Sequence, residues 1–117
     1  MDTMKIKDKK TALASFEESA VKHADATGQG DYKTANKCYA NIVKAINFLK
    51  EQGEVAALID CLCHSSAGVR NWAATYLLPV KEKEAIKVLE EIVRKKDIHS
   101  LSAETTLSEW RKGNLKL

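Results

Sequence analysis

Ser66-Ala-Gly-Val-Arg-Asn-Trp-Ala-Ala-Thr-Tyr-Leu-Leu-Pro79 is a helix written with its own start and stop signals. The Ser66 hydroxyl can accept from the free N–H groups of a first turn, and Pro79 lacks the N–H that a further turn would need. Between them Val69, Trp72, Ala73, Tyr76 and Leu77 fall at i, i+3, i+4, i+7 and i+8, one continuous helical stripe. Ala73 and Ala74 permit close approach of a neighbouring helix, while Trp72 and Tyr76 fill the space on either side. A helix of this kind belongs in the middle of a stack of helices.

The flanking segments supply its partners. Residues 1–7 are expected to form a flexible arm, followed by a single helical-repeat domain over 8–117. A first helix is expected from about Asp8 to Ala26, inward through Leu13, Phe16, Ala20 and Ala24 with Val21 alongside, and ended by Gly28-Gln-Gly30. Asp31 caps a second helix reaching Gln52, buried through Tyr32, Ala35, Tyr39, Ile42, Ile46 and Leu49, with Gly53 as its left-handed stop. Glu54 to His64 reads as a third helix, inward through Val55, Leu58, Ile59 and Leu62. After Pro79, Ala85, Val88, Leu89, Ile92 and Val93 line a fifth helix over about Glu82 to Lys95. Arg94-Lys-Lys96 at its end suits the negative pole of the helix dipole. Ser100 caps a sixth, inward through Ala103, Leu107 and Trp110 and stopped by Gly113.

A repeat emerges on shifting the third and fourth helices forward by 30 residues: Val55 falls on Ala85, Leu58 on Val88, Ile59 on Leu89, Leu62 on Ile92, Ala73 on Ala103 and Leu77 on Leu107. A helical hairpin recurring at a fixed period is the signature of an α-solenoid. The fold class expected is therefore all-α, an α-α superhelix of about six helices in three antiparallel hairpins.

Composition agrees. The 117 residues include one proline and five glycines, and 44% are hydrophobic, enough for a core burying roughly 65% of the unfolded surface. Net charge is +3 from interspersed signs and the pI is 8.7, below the value above about 9 typical of dedicated nucleic-acid binders. No apolar run approaches the ~20 residues that span a bilayer, and the charged start lacks an apolar core for a secretory signal. A cytoplasmic protein with reduced thiols at Cys38, Cys61 and Cys63 is expected.

Ser66, Val69, Arg70, Ala73, Ala74 and Leu77 resemble the second helix of a HEAT repeat: a cap, two positions, Val-Arg, two positions, Ala-Ala, two positions, Leu. Together with Ala35-Asn36, the 85–89 helix and the ending Ser102-Ala-Glu-Thr-Thr-Leu-Ser-Glu-Trp-Arg-Lys-Gly113, they resemble a family of small bacterial proteins, domain of unknown function number 2019. The likeness runs from about Phe16 onward and implies a HEAT or armadillo-like superhelix. It implies no activity; an immunity partner of a secreted toxin is an analogy with other small helical-repeat proteins.

Candidate sites each have a plain structural alternative. Cys61-Leu-Cys63-His64 with Cys38 offers four zinc-ligand types, but one intervening residue on an α-helix turns two thiols about 200° apart. No metal and no cofactor are expected; Cys63 reads as core and Cys61 as outward, where a reactive thiol would need a lowered pKa. Arg70 can either tie one repeat to the next, through Asp60, Asp97 or a helix-end carbonyl, or project with Asn71 to hold an acidic partner or phosphate. Lys33, Lys37 and Lys44 lie near one face of the second helix, a basic ridge for a nucleic-acid backbone or simply a solvated face. Trp110, with no following repeat to cover it, can anchor a partner or a dimer contact. Pairs such as Glu17 and Glu18, or Glu104 and Glu109, lack a paired histidine or Gly-rich loop, so no enzyme is expected. The function expected is a noncatalytic protein-protein interaction module, an immunity or regulatory partner protein being one form of it. It would act as a monomer or weak homodimer, and the alternative is a nucleic-acid backbone binder using Lys33, Lys37, Lys44 and Arg70.

Overall fold

The computed structural model describes residues 6–117, and the expected arm lies largely outside them. The described residues are all-helical, with five α-helices, one 3-10 segment and no strand. The helices are α1 (Lys9–Gly28), α2 (Tyr32–Glu51), α3 (Ala67–Leu77), α4 (Glu82–Lys95) and α5 (Ser100–Arg111). No described helix is long and apolar enough to cross a membrane. The chain divides into two compact units, Met1–Ala57 and Leu58–Leu117.

In the first unit α1 packs against α2. Asp8 takes extended backbone and accepts the Thr11 N–H at 2.7 Å; Asp31 accepts the Thr34 N–H at 3.2 Å. These bonds, made to the charged form, hold both carboxyls below the usual aspartate value. The seam between the helices is built mostly from small residues, Ala12, Ser15, Ser19 and Ala20 on α1 and Ala35, Cys38 and Ala45 on α2, with Phe16, Ile42, Ile46 and Leu49 supplying bulk. That seam corrects the expected inward row of α2. Tyr32 and Tyr39 are 72% and 49% exposed, because alanine and cysteine occupy the positions where the backbones come close. Gly53 closes the hairpin with φ +68°, a conformation that costs glycine nothing.

The boundary between the units falls in Val55–Cys63, a 3-10 segment where an α-helix was expected. Nine residues are too few for a self-sustaining α-helix. Three residues per turn align Val55, Leu58 and Cys61, all at least partly buried, and turn Asp60 and Cys63 outward. The expectation for the two thiols is thereby reversed: Cys61 is half-buried and Cys63 exposed.

The second unit is centred on α3. Ser66 Oγ accepts the Val69 N–H at 3.4 Å, and the helix ends at Leu77, two residues short of Pro79. Val69, Ala73, Ala74, Leu77 and Leu78 have no exposed surface. At roughly 1.5–3 kcal/mol for each fully buried valine or leucine, Val69, Leu77 and Leu78 are major contributors to the stability of this unit. α3 packs on α4, α4 on α5, and α3 more lightly on α5. Three of the six pairs related by the 30-residue shift share burial, Leu58 with Val88, Ala73 with Ala103 and Leu77 with Leu107, whereas Val55, Ile59 and Leu62 are half-buried where Ala85, Leu89 and Ile92 are buried. Ser100 is the first residue of α5 and not its cap; its hydroxyl donates to the Ile92 carbonyl at 3.0 Å and fastens α5 to α4.

α4 ends on Lys96 at φ 53° and ψ 43°, a left-handed cap held by a side-chain-bearing residue. A Cβ there costs of order 1 kcal/mol relative to glycine, partly offset by the greater freedom of glycine in the unfolded chain. Lys96→Gly should therefore raise the free energy of urea unfolding by about 0.5–1 kcal/mol, and an unchanged or lowered value would show that the left-handed cap is not strained.

Candidate functional site

The second unit carries the most structured polar surface, beginning at the link before α3. His64 Nδ1 accepts the Ser66 N–H at 2.9 Å, which fixes the entry to the helix. Arg70, one turn on, donates through Nη1 to the carbonyls of His64 at 2.6 Å and Ser65 at 3.2 Å. Of the expected structural partners, the helix-end carbonyl is the one used. The half-buried guanidinium is thus held against the backbone that precedes its own helix.

Arg70 also borders a recess of about 330 Å³ whose other lining residues, Glu91, Ile92, Arg94 and Lys95, come from the last turns of α4. Neither Arg94 nor Lys95 has an ion-pair partner among the described residues. Elsewhere in the unit cations are paired where an acid is near: Arg111 with Glu90 at 3.0 Å and Lys112 with Glu109 at 3.8 Å. His99 lies close enough to Arg70 to feel its charge. Burial chiefly, and Arg70 secondarily, lower its pKa below the usual histidine value, against an opposing pull from Asp97.

Asn71, expected to project beside Arg70, is buried at 8% exposure. Its Nδ2 donates to Ser102 Oγ at 3.2 Å, linking α3 to α5, and its Oδ1 has no hydrogen-bond partner. One residue along an α-helix is a turn of about 100°, so Arg70 and Asn71 cannot share a face. Trp110 is half-buried and its Nε1–H donates to Glu82 Oε2 at 2.8 Å, which clamps the end of α5 to the start of α4. The side chain expected as an uncovered anchor is therefore partly engaged within its own unit.

A larger groove of about 620 Å³ runs between α4 and α5. Val93 and Leu107 supply apolar surface, and Glu90, Arg94, Glu104, Arg111 and Lys112 supply charge of both signs. At the turn joining these helices Ile98 and Leu101 are 64% and 74% exposed. Val93 and Glu104 also line a smaller neighbouring recess with Leu101, so the apolar surface continues from one to the other.

In the first unit Lys33, Lys37 and Lys44 are all exposed and fall within about 40° of one another around α2, opposite its buried side. Tyr32 and Tyr39 are also exposed, but lie about 100° or more around the helix from the lysines. Arg70, grouped with these lysines in the nucleic-acid alternative, belongs to the other unit. Cys38 is buried, and burial pushes its thiol pKa up, the opposite of what a reactive thiol needs. Among the described residues no three His, Cys, Asp or Glu side chains gather in a way that could hold a metal ion.

Sequence reasoning missed Arg94 and Lys95 as partners of Arg70, having assigned them to the helix dipole. It also missed exposed Leu101 and the half-buried face of Val93, whereas Leu107, expected inward, is buried. Ile98 in the connection and Leu101 in the first turn of α5 were the available signal, because Leu101 falls opposite the stripe of Ala103, Leu107 and Trp110.

No family model matches the chain, and no curated protein matches it. Among solved structures it is similar to the crystal structure of the protein RPA1889 from Rhodopseudomonas palustris CGA009. The identity is 22%, the TM-score 0.88, and the match covers 100% of this chain and 98% of that chain. At this identity the likeness shows a shared fold and nothing further.

The lowered pKa of His99 has a testable consequence. The unfolded chain binds the proton near the ordinary value of about 6.5 and the folded one only at lower pH, so the contribution is complete above 6.5 and is lost as pH falls through the folded value. Urea unfolding of the wild type should therefore weaken between pH 7 and 5 by more than that of His99→Gln. Parallel curves for the two proteins would show that His99 carries no such linkage.

Proposed function

We propose that this protein is a noncatalytic binding module of the HEAT or armadillo-like kind, related to the family of domain of unknown function number 2019, whose partner is another protein. The observation that carries this is the groove between α4 and α5, apolar at Val93 and Leu107, charged with both signs along its length, and continued by exposed Leu101. Apolar surface ringed by charge is the usual anatomy of a protein-protein contact. Repeat stacks present such surfaces on rigid elements, which lowers the ordering cost of association. Shared burial at three of the six positions paired 30 residues apart supports the repeat, and an immunity or regulatory role is a specific form of this function. The test is affinity capture from the native organism with wild type and with Leu101→Asp, an exposed position that leaves the core intact. A stoichiometric protein partner retained by the wild type and lost at least tenfold by the variant is expected. Equal capture by both, or no stoichiometric partner, would contradict the assignment.

A second function is favoured by one observation, the common exposed face of Lys33, Lys37 and Lys44. Lysines aligned on one exposed helix face can neutralise successive phosphates of a nucleic-acid backbone. Binding of an oligonucleotide should then fall with salt, and each Lys→Gln substitution should reduce the log–log slope by about 0.7. Absence of binding at low salt would eliminate it.

A further inference from the structure

We propose that the recess bounded by Arg70, Arg94 and Lys95 is a binding site for a phosphate-type oxyanion, either free phosphate or a phosphate monoester. This concerns a small ligand and does not rest on the docking function above, although Arg94 lines both the recess and the α4–α5 groove. Three cations from two helices border one recess of about 330 Å³, with Glu91 the one acid lining it. Their charge is uncompensated: Arg94 and Lys95 are without ion-pair partners among the described residues. Compensation of the α4 dipole accounts for cations at the C-terminal end of that helix. It does not account for Arg70, which arrives from α3.

Arg70 is the positioned element. Both its hydrogen bonds leave through Nη1, to His64 O and Ser65 O, so the backbone fixes the plane of the guanidinium while Nη2 and Nε make no hydrogen bond among the described residues. A planar fork oriented in advance loses little freedom on binding and suits two oxygens of one ligand. Arg94 offers a second fork, and Lys95 a compact point charge. The excess of two positive charges over Glu91 is balanced by a phosphate dianion and only half balanced by a carboxylate.

The experiment is a titration of isotope-labelled protein followed by NMR, reading the Arg70 and Arg94 Nε–H signals, the Lys95 amide and the His99 ring. Three arms use inorganic phosphate, O-phosphoserine and sodium chloride at matched ionic strength. Saturable shifts at these four residues in the phosphate or phosphoserine arm, absent with chloride, are expected. Tighter binding of phosphoserine would assign the site to a monoester, and equal or weaker binding to free phosphate. The double variant Arg94→Gln/Lys95→Gln should weaken binding about tenfold or more, as loss of charged hydrogen bonds does, while Lys87→Gln, exposed on α4 outside the recess, should not change it. Unchanged amide spectra would show that both variants remain folded. Shifts that grow linearly and are matched by chloride, or saturation that survives the double variant, would overturn the proposal.

Discussion

Close approach of helices over small residues is the constraint on which the second unit depends. α3 carries Gly68, Val69, Ala73, Ala74, Leu77 and Leu78 on its buried side, and the alanines leave no room for a larger side chain where α4 and α5 come near. Interiors at crystal-like density tolerate neither a void nor an added methylene without cost. Once α3 is seated, Asn71 is carried into the interior to reach Ser102, and Arg70, one residue earlier, is swung to the rim where it meets the His64 and Ser65 carbonyls. Packing thereby determines which of two adjacent polar residues becomes surface chemistry.

Polar contacts at the edges then set the geometry of the recesses. Trp110 holds Glu82, Arg111 holds Glu90, and Ser100 holds the Ile92 carbonyl, so α4 and α5 are tied at three places along their length. The exposed pairs add little stability individually. Their effect is to keep the groove that contains Val93 and Leu107 at one width, with charges of both signs beside it. Toward Arg70 the balance differs, because Arg94 and Lys95 make no ion pair among the described residues and share a recess with Arg70 in which Glu91 is the one acid.

The helical architecture was legible where local signals and periodicity agreed. Asp8, Asp31, Ser66, Gly53 and Gly113 mark ends that the structure keeps, and the span expected for α4 matches. Legibility failed where three-dimensional contact outweighed period. The 3-10 geometry of Val55–Cys63 changed the angle between Cys61 and Cys63, and with it which thiol faces out. Tyr32 and Tyr39 satisfy an apolar stripe by chemistry, yet the α1–α2 seam admits only smaller residues at its closest points. The candidate site was half visible. Arg70 was identified, along with one of its two roles, but that Arg94 and Lys95 would meet it follows from the packing of α3 on α4 and leaves no trace in spacing.

The most direct measurement is the urea unfolding free energy of Ala73→Leu, which adds three carbons at the centre of the α3 seam. Overpacking should lower it by about 1–3 kcal/mol while far-UV circular dichroism keeps its helical form. Unchanged or increased stability would mean that the seam has room to spare, and that close approach of these helices does not govern the unit.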